Sequence, residues 1–259
     1  MQILSNEQIR SAAPSIFAAS PWERMSARYR HVPTIEVVDM LRDHGFFPVR
    51  VMQSRCRIPG KQPFTKHLLR LRSQCFLDAD RNAEVPELIL TNSHDGSSAY
   101  CFHGGIFRVV CTNGLVVASA DFGGISVLHK GGLDFRKHII GATFSITEEM
   151  PRVMLSIAGW KETILDPVRQ LEFAARAFEL KPNANIKPSH LLVPRRYEDA
   201  APTLWNVLNR VQENLMKGDL RGMTASGRRM RTRPVKSVTG DLNINRGLWK
   251  IADNMARGI

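Results

Sequence analysis

Two dipeptides, Asp95-Gly96 and Asn113-Gly114, sit between apolar runs in PELILTNSHDGSSAYCFH and FRVVCTNGLVVAS. Both suit type I′ turns, whose two central residues need positive φ. They predict consecutive antiparallel hairpins over residues 86–119. Gly104-Gly105 is then expected to be a bulge or bend between short strands. GGISVLHKGG reads as one more short strand between glycine pairs.

Upstream, FFPVRVMQSRCR alternates, with Phe47, Val49 and Val51 on one face and Arg50 and Met52 on the other. Pro59-Gly60 marks a turn. KHLLRLRSQ alternates again, Leu69 and Leu71 opposing Lys66, Arg70 and Arg72. A strand with arginine at every second position is expected to show one face to the core and the other to water or a partner.

Helical patterns surround these strands. TIEVVDMLRDHG carries Ile35, Val38 and Leu41 as an apolar stripe, with Thr34 as its expected cap and Gly45 as its stop. FRKHIIGATFSITEEMPRVM reads as helical with an interruption at Pro151. LDPVRQLEFAARAFEL has Asp166 as cap, Pro167 at the first position, and Val168, Leu171, Ala175 and Phe178 at helical spacing. KPNANIKPSHLLVPRR reads as a loop or linker. TLWNVLNRVQENLMKG is a helix ended by Gly218, and INRGLWKIADNMA closes the chain with another.

The expected fold class is therefore α+β: an antiparallel β-sheet of consecutive hairpins with helices packed on one face, and a helical C-terminal half. Three regions are expected: an N-terminal segment 1–33, an α+β core 34–180, and a C-terminal helical region with a basic arm, 181–259.

Charge points to the partner. The net charge of +12 is blocked rather than scattered. Residues 50–72 hold Arg50, Arg55, Arg57, Lys61, Lys66, Arg70 and Arg72 and no acid. Residues 217–236 hold Lys217, Arg221, Arg228, Arg229, Arg231, Arg233 and Lys236 against Asp219 alone. Such blocks select a polyanion, nucleic acid first, because each neutralised phosphate releases counterions. Phe46, Phe47, Phe64 and Phe76 lie near the first block and could stack a base, although aromatics at such positions commonly belong to the core. The tract TASGRRMRTRPVKSV, lacking an apolar stripe, is expected to be a mobile arm that orders on phosphates.

No stretch has the length of a membrane span, and MQILSNEQIRSAAPSIF lacks the pattern of a secretory signal, so a cytoplasmic location is expected. Cys56, Cys75, Cys101 and Cys111 form no C-x-x-C pair and are expected to be free thiols, with no metal or cofactor. Catalytic readings are thin. His94 and Asp95, with His103 or His129, could supply a metal ligand or base, but Asp95-Gly96 is adequately explained as turn chemistry. The acids of the β half (Asp78, Asp80, Glu84, Glu87, Asp95 and Asp121) are few for a magnesium site. There is no P-loop and no G-x-S-x-G elbow, and Cys111 reads as a strand cysteine.

The strings YRHVPTIEVVDMLRDHGFFP, QSRCRIPGKQPFTKHLLRLR, EVPELILTNSHDGSS, GIFRVVCTNGLVV, VLHKG, ENLMKG and TASGRRMRTRPVKSVTGDLNINRGLW resemble the YfjQ/YafZ-like proteins of bacterial prophages and plasmids, classed as domain-of-unknown-function family 932. No match is identified for the first 25 residues or for 145–195. The resemblance implies a mobile-element setting and brings no catalytic mechanism. Together with the charge it favours a protein that binds and anneals single-stranded DNA in recombination or in plasmid or phage DNA maintenance. In class and charge this is similar to phage annealing proteins of the Red-beta, Erf and RecT kind. A homo-oligomer, in one form a ring, is the expected assembly. The alternatives are an interaction protein that inhibits or modulates a host defence complex, and a metal-dependent nuclease.

Overall fold

A computed structural model describes residues 2–27, 29–80, 83–108, 114–116, 125–127 and 135–259. Cys111, Asn113, Asp121 and His129 lie outside them. The chain forms two compact units, the first ending at Met150 and the second beginning at Pro151.

The first unit holds an antiparallel sheet. Its strands are β1 (Phe46–Gln53), β2 (His67–Ser73), β3 (Glu84–Asn92), β4 (Tyr100–Arg108), β5 (Gly114–Val116) and β6 (Ile125–Val127). The order is β1-β2-β3-β4, with β5 and β6 both paired to β4. β5 lies along Gly105–Phe107 and β6 along Tyr100–Phe102. The expected α+β class and antiparallel sheet are present, but the turns differ from expectation. Residues 93–99 join β3 to β4, and only Gly96 of the dipeptide has positive φ, at 78°. Asp95 instead accepts bonds from the Ser97 backbone and hydroxyl, an Asx-type arrangement. Gly114 is the first residue of β5 rather than a turn centre.

Gly104 and Gly105 form no bulge and pair in unbroken register with Leu88 and Glu87. For Gly104 the reason is steric. A Cβ on Gly104 would collide with Met150 and stand 3.2 Å from Ile146, so glycine lets helix α3 (Phe135–Glu162) cross the sheet closely. The register break falls in β1 instead, between Pro48 and Arg50. α3 runs through Pro151 without ending there, so the expected interruption is absent.

Helices α1 (Asn6–Ala12) and α2 (Thr34–Asp43) complete this unit. The N-terminal segment is part of it: the Leu4 amide donates to the Pro48 carbonyl, and Ile9 and Ile16 are fully buried. Thr34 is not the cap of α2; Pro33 holds that position. Freed from capping, the Thr34 hydroxyl sits buried against four groups. These are His67 Nε2 at 2.9 Å, His94 Nε2 at 3.2 Å, Asn92 Nδ2 at 3.0 Å and the Tyr100 hydroxyl at 3.3 Å. Gly45 ends the helix with φ of 80°.

The second unit is helical, as expected of the C-terminal half. It contains the end of α3, α4 (Pro167–Phe178), α5 (Leu204–Lys217), the hairpin β7 (Arg221–Met223) and β8 (Arg229–Arg231), and α6 (Val238–Ala256). Asp166 caps α4 by accepting from the Arg169 amide. The buried face of α4 is Phe173, Ala174 and Ala177; Val168, Leu171 and Ala175 are exposed, so the expected stripe faces outward. α5 is the centre of the unit, buried at every position from Leu204 through Met216 except Asn206. Trp160, Trp205 and Trp249 stack about it. Its polar side chains are used. Asn214 donates to the carbonyls of Leu191 and Val193, and Arg195 donates to Asn214. The segment expected as a linker is thereby held as an ordered layer.

Candidate nucleic-acid interface

The early basic block does not form one exposed face. Arg70 and Arg72 are 4% and 0% exposed. Both bond the carboxylate of Glu87, Arg70 Nε at 2.6 Å and Arg72 Nη2 at 2.6 Å. Arg72 stands directly opposite Glu87 in the β2–β3 register. The Arg70 guanidinium also lies 3.3 Å from the centre of the Phe107 ring. Burial pushes the Arg70 pKa below its ordinary value against the pull of Glu87. β2 is an interior strand, buried on both faces from His67 to Arg72, so its arginines are not presented to phosphates. Lys61 is committed as well, 3.1 Å from Asp95 and over the Trp22 ring. Arg50 and Lys66 are half-buried, and only Arg55 and Arg57 of this block are exposed.

The second block behaves differently. The tract expected as a mobile arm is a β-hairpin. Arg221 pairs with Arg231, Gly222 with Met230 and Met223 with Arg229. The ladder continues through Leu220 and Thr232, with the Thr232 amide donating to the Leu220 carbonyl and the Asp219 amide to the Thr232 carbonyl. Gly227, with φ of 77°, supplies the turn. Two close approaches dock the hairpin. A Cβ on Gly218 would stand 2.6 Å from the Arg233 carbonyl carbon. One on Gly222 would strike the Asn185 carbonyl, and the Met223 amide donates to that same oxygen at 3.0 Å.

Strand alternation then sorts the side chains. Met230 and Thr232 turn inward, while Arg229, Arg231 and Arg233 are exposed. Arg221 joins their face opposite Arg231. Like charges directly opposed in a ladder repel, and Asp219 lies among them, 2.7 Å from Arg231 and itself exposed. Arg228 and Lys236 are exposed at either side.

Between the hairpin and residues 184–190 lies a groove of about 1030 Å³. Its cations are Lys187, Arg221, Arg229 and Arg231, joined by His190, and among the described residues no Asp or Glu lines it. The His190 Nδ1 accepts the Lys187 amide hydrogen at 3.0 Å, which leaves the Nε2 side of the neutral ring to donate. Lys187 and His190 were not among the residues anticipated from sequence. Both lie in the segment expected as a loop or linker.

Two residues of the metal reading are otherwise engaged: His94 joins the Thr34 cluster, and Asp95 holds Lys61 and Ser97. Among the described residues no group of three or more His, Cys, Asp or Glu could hold a metal ion. No described helix is long and apolar enough to cross a membrane.

A family model described as "Domain of unknown function (DUF932)" matches residues 21–249. The chain belongs to the DUF932 family. Among its relatives, UPF0380 protein YafZ of Escherichia coli (strain K12) is 38% identical over 253 residues, 96% of this chain and 90% of that protein. UPF0380 protein YfjQ of the same strain is 37% identical over 255 residues, 97% of this chain and 91% of the relative. The DUF932 match includes residues 145–195, where no resemblance was anticipated. It takes in both the buried Glu87 and the basic groove. No solved structure matches.

Proposed function

We propose that this DUF932 protein binds nucleic acid, single-stranded DNA in particular, through the β7–β8 hairpin and the groove beside it. The observation that carries the reading is the convergence of Lys187, Arg221, Arg229 and Arg231 on one groove that no Asp or Glu lines among the described residues. A concave, cationic groove suits a flexible single strand that can be laid into it. A two-residue step along β8, about 7 Å, is commensurate with successive phosphates of an extended strand. Arg229, Arg231 and Arg233 make two such steps. The biological setting is DNA recombination or maintenance on a prophage or plasmid, in the cytoplasm, with strand annealing by a homo-oligomer as the activity.

The test is binding of single- and double-stranded DNA and RNA across a salt series, with mass determined at the same time. Affinity for single strands that falls steeply with salt supports the reading. Failure to bind any nucleic acid at low salt removes it and leaves the protein-interaction alternative.

A further inference from the structure

We infer that the groove grips the sugar–phosphate backbone alone and leaves the bases outside, free to pair. The inference rests on the nucleic-acid reading above and concerns which part of the ligand is held. Three observations carry it.

The first is the chemistry of the lining. Its charged groups are Lys187, Arg221, Arg229 and Arg231, which bond phosphate oxygens, and His190 offers a further nitrogen donor. Its apolar members, Ile186, Met223 and Met230, are unbranched or aliphatic. Among the described residues lining the groove, none is Phe, Tyr or Trp. Trp160, Trp205 and Trp249 are buried against one another, and the exposed ring of Tyr197 is not among the residues that line the groove.

The second is register. Arg229 and Arg231 stand two residues apart on one face of β8, and Arg221 faces Arg231 across the ladder. Guanidinium groups in a row meet a ligand that repeats at a fixed step, which is the property of the backbone and not of a base sequence.

The third is what holds the row in place. Gly222 allows the hairpin to lie directly on the Asn185 backbone, where Met223 bonds it. Lys181 Nζ donates to the carbonyls of Leu215 and Arg233. The hairpin is fixed from below, so its outward arginines need little further ordering to bind.

A strand held in this way presents its pairing edges to solvent. That is the arrangement in which a second strand can be tested for complementarity without releasing the first. A guanidinium can also lie flat on a base, so the experiment must separate the two modes.

Equal lengths of oligothymidylate and of an abasic deoxyribose-phosphate strand are titrated into the full-length protein by fluorescence anisotropy, and permanganate reactivity of the thymines is read in the saturated complex. The expected result is affinities within about threefold of each other, because stacking on a ring would separate them by about tenfold or more, and thymines as reactive as in free strand. Joint replacement Arg229→Ala and Arg231→Ala should weaken both ligands by the same factor. Tight binding of oligothymidylate with weak binding of the abasic strand, or thymines protected from permanganate, overturns backbone-only recognition while leaving nucleic-acid binding intact. Binding of neither strand at low salt overturns both readings.

Discussion

In β2 and in β8 arginine stands at every second position, yet Arg70 and Arg72 are sealed in the first unit while Arg229, Arg231 and Arg233 face solvent in the second. The local pattern is the same; the neighbours differ. β2 lies between β1 and β3 and meets Glu87 directly across the ladder from Arg72. β8 has β7 alone, and meets Arg221. Alternation therefore marks a strand, while strand order decides whether its charged face is satisfied inside the fold or left for a ligand.

The comparison is most severely tested at Glu87. Removing it by Glu87→Gln leaves two buried guanidinium groups without their carboxylate, and stability should fall by about 3–5 kcal/mol. Chemical denaturation of the full chain measures this. A loss below about 1 kcal/mol would place Arg70 and Arg72 in the same class as the exposed row.

Glu213 lies between the extremes. Burial pushes its carboxyl up, but hydrogen bonds from Lys217 and Arg196 outweigh this and hold it below its ordinary value. A depressed carboxyl stabilises the fold above its unfolded pKa, and the contribution is lost as pH falls through the folded one. Glu213→Gln should therefore cost about 2 kcal/mol at neutral pH. The gap from the parent should close as pH drops below the unfolded value of 4.5. A constant gap across that range would assign the loss to packing.

On the exposed side, the Arg229→Ala, Arg231→Ala double variant should keep its stability within about 0.5 kcal/mol. Its salt slope for single strands should fall by about 1.4, from two lost phosphate contacts. A folded variant with an unchanged slope would detach the row from the ligand. The smallest effect is expected at Asp219→Asn, which frees Arg231 from a surface pair worth well under about 1 kcal/mol. Binding should tighten a few-fold with no change in melting. Asparagine is chosen because residue 219 has φ of 60°, a conformation that Asn tolerates.

Much of the sheet was legible. Apolar alternation located β1 and β2, and Gly45, Asp166, Pro167 and Gly218 marked helix ends where they are observed. The misses share a cause: each depended on a partner distant in sequence. Gly104 reads as a bend until Met150 is brought over it. α4 carries two apolar stripes, and only the packing of its own unit selects Phe173, Ala174 and Ala177. Lys187 and His190 carry no local signature, because the groove exists only once the hairpin lies on Asn185. The hairpin itself had a signal that charge obscured. In R-M-R-T-R the inward residues are Met230 and Thr232, a period-two pattern that was read as an arm because its apolar half is so slight.

The Thr34 cluster carries a consequence for where hydrogens reside. A hydroxyl has one hydrogen to give and two lone pairs to fill. Asn92 fills one lone pair, and Tyr100 spends its own hydrogen on the Val32 carbonyl. His67 Nδ1 lies 2.8 Å from the Ser15 hydroxyl and 3.3 Å from the Thr65 carbonyl, so it can accept from the first or donate to the second, and the bond between its Nε2 and Thr34 takes the opposite sense. With one hydrogen and one lone pair left on Thr34, the Nε2 atoms of His67 and His94 cannot both donate to it or both accept from it. Two imidazoles whose centres are 5.6 Å apart are thus locked into opposite tautomers by a single threonine. The first turn of α2 acts as a template for proton placement on the sheet, and neither ring can flip or change tautomer without the other.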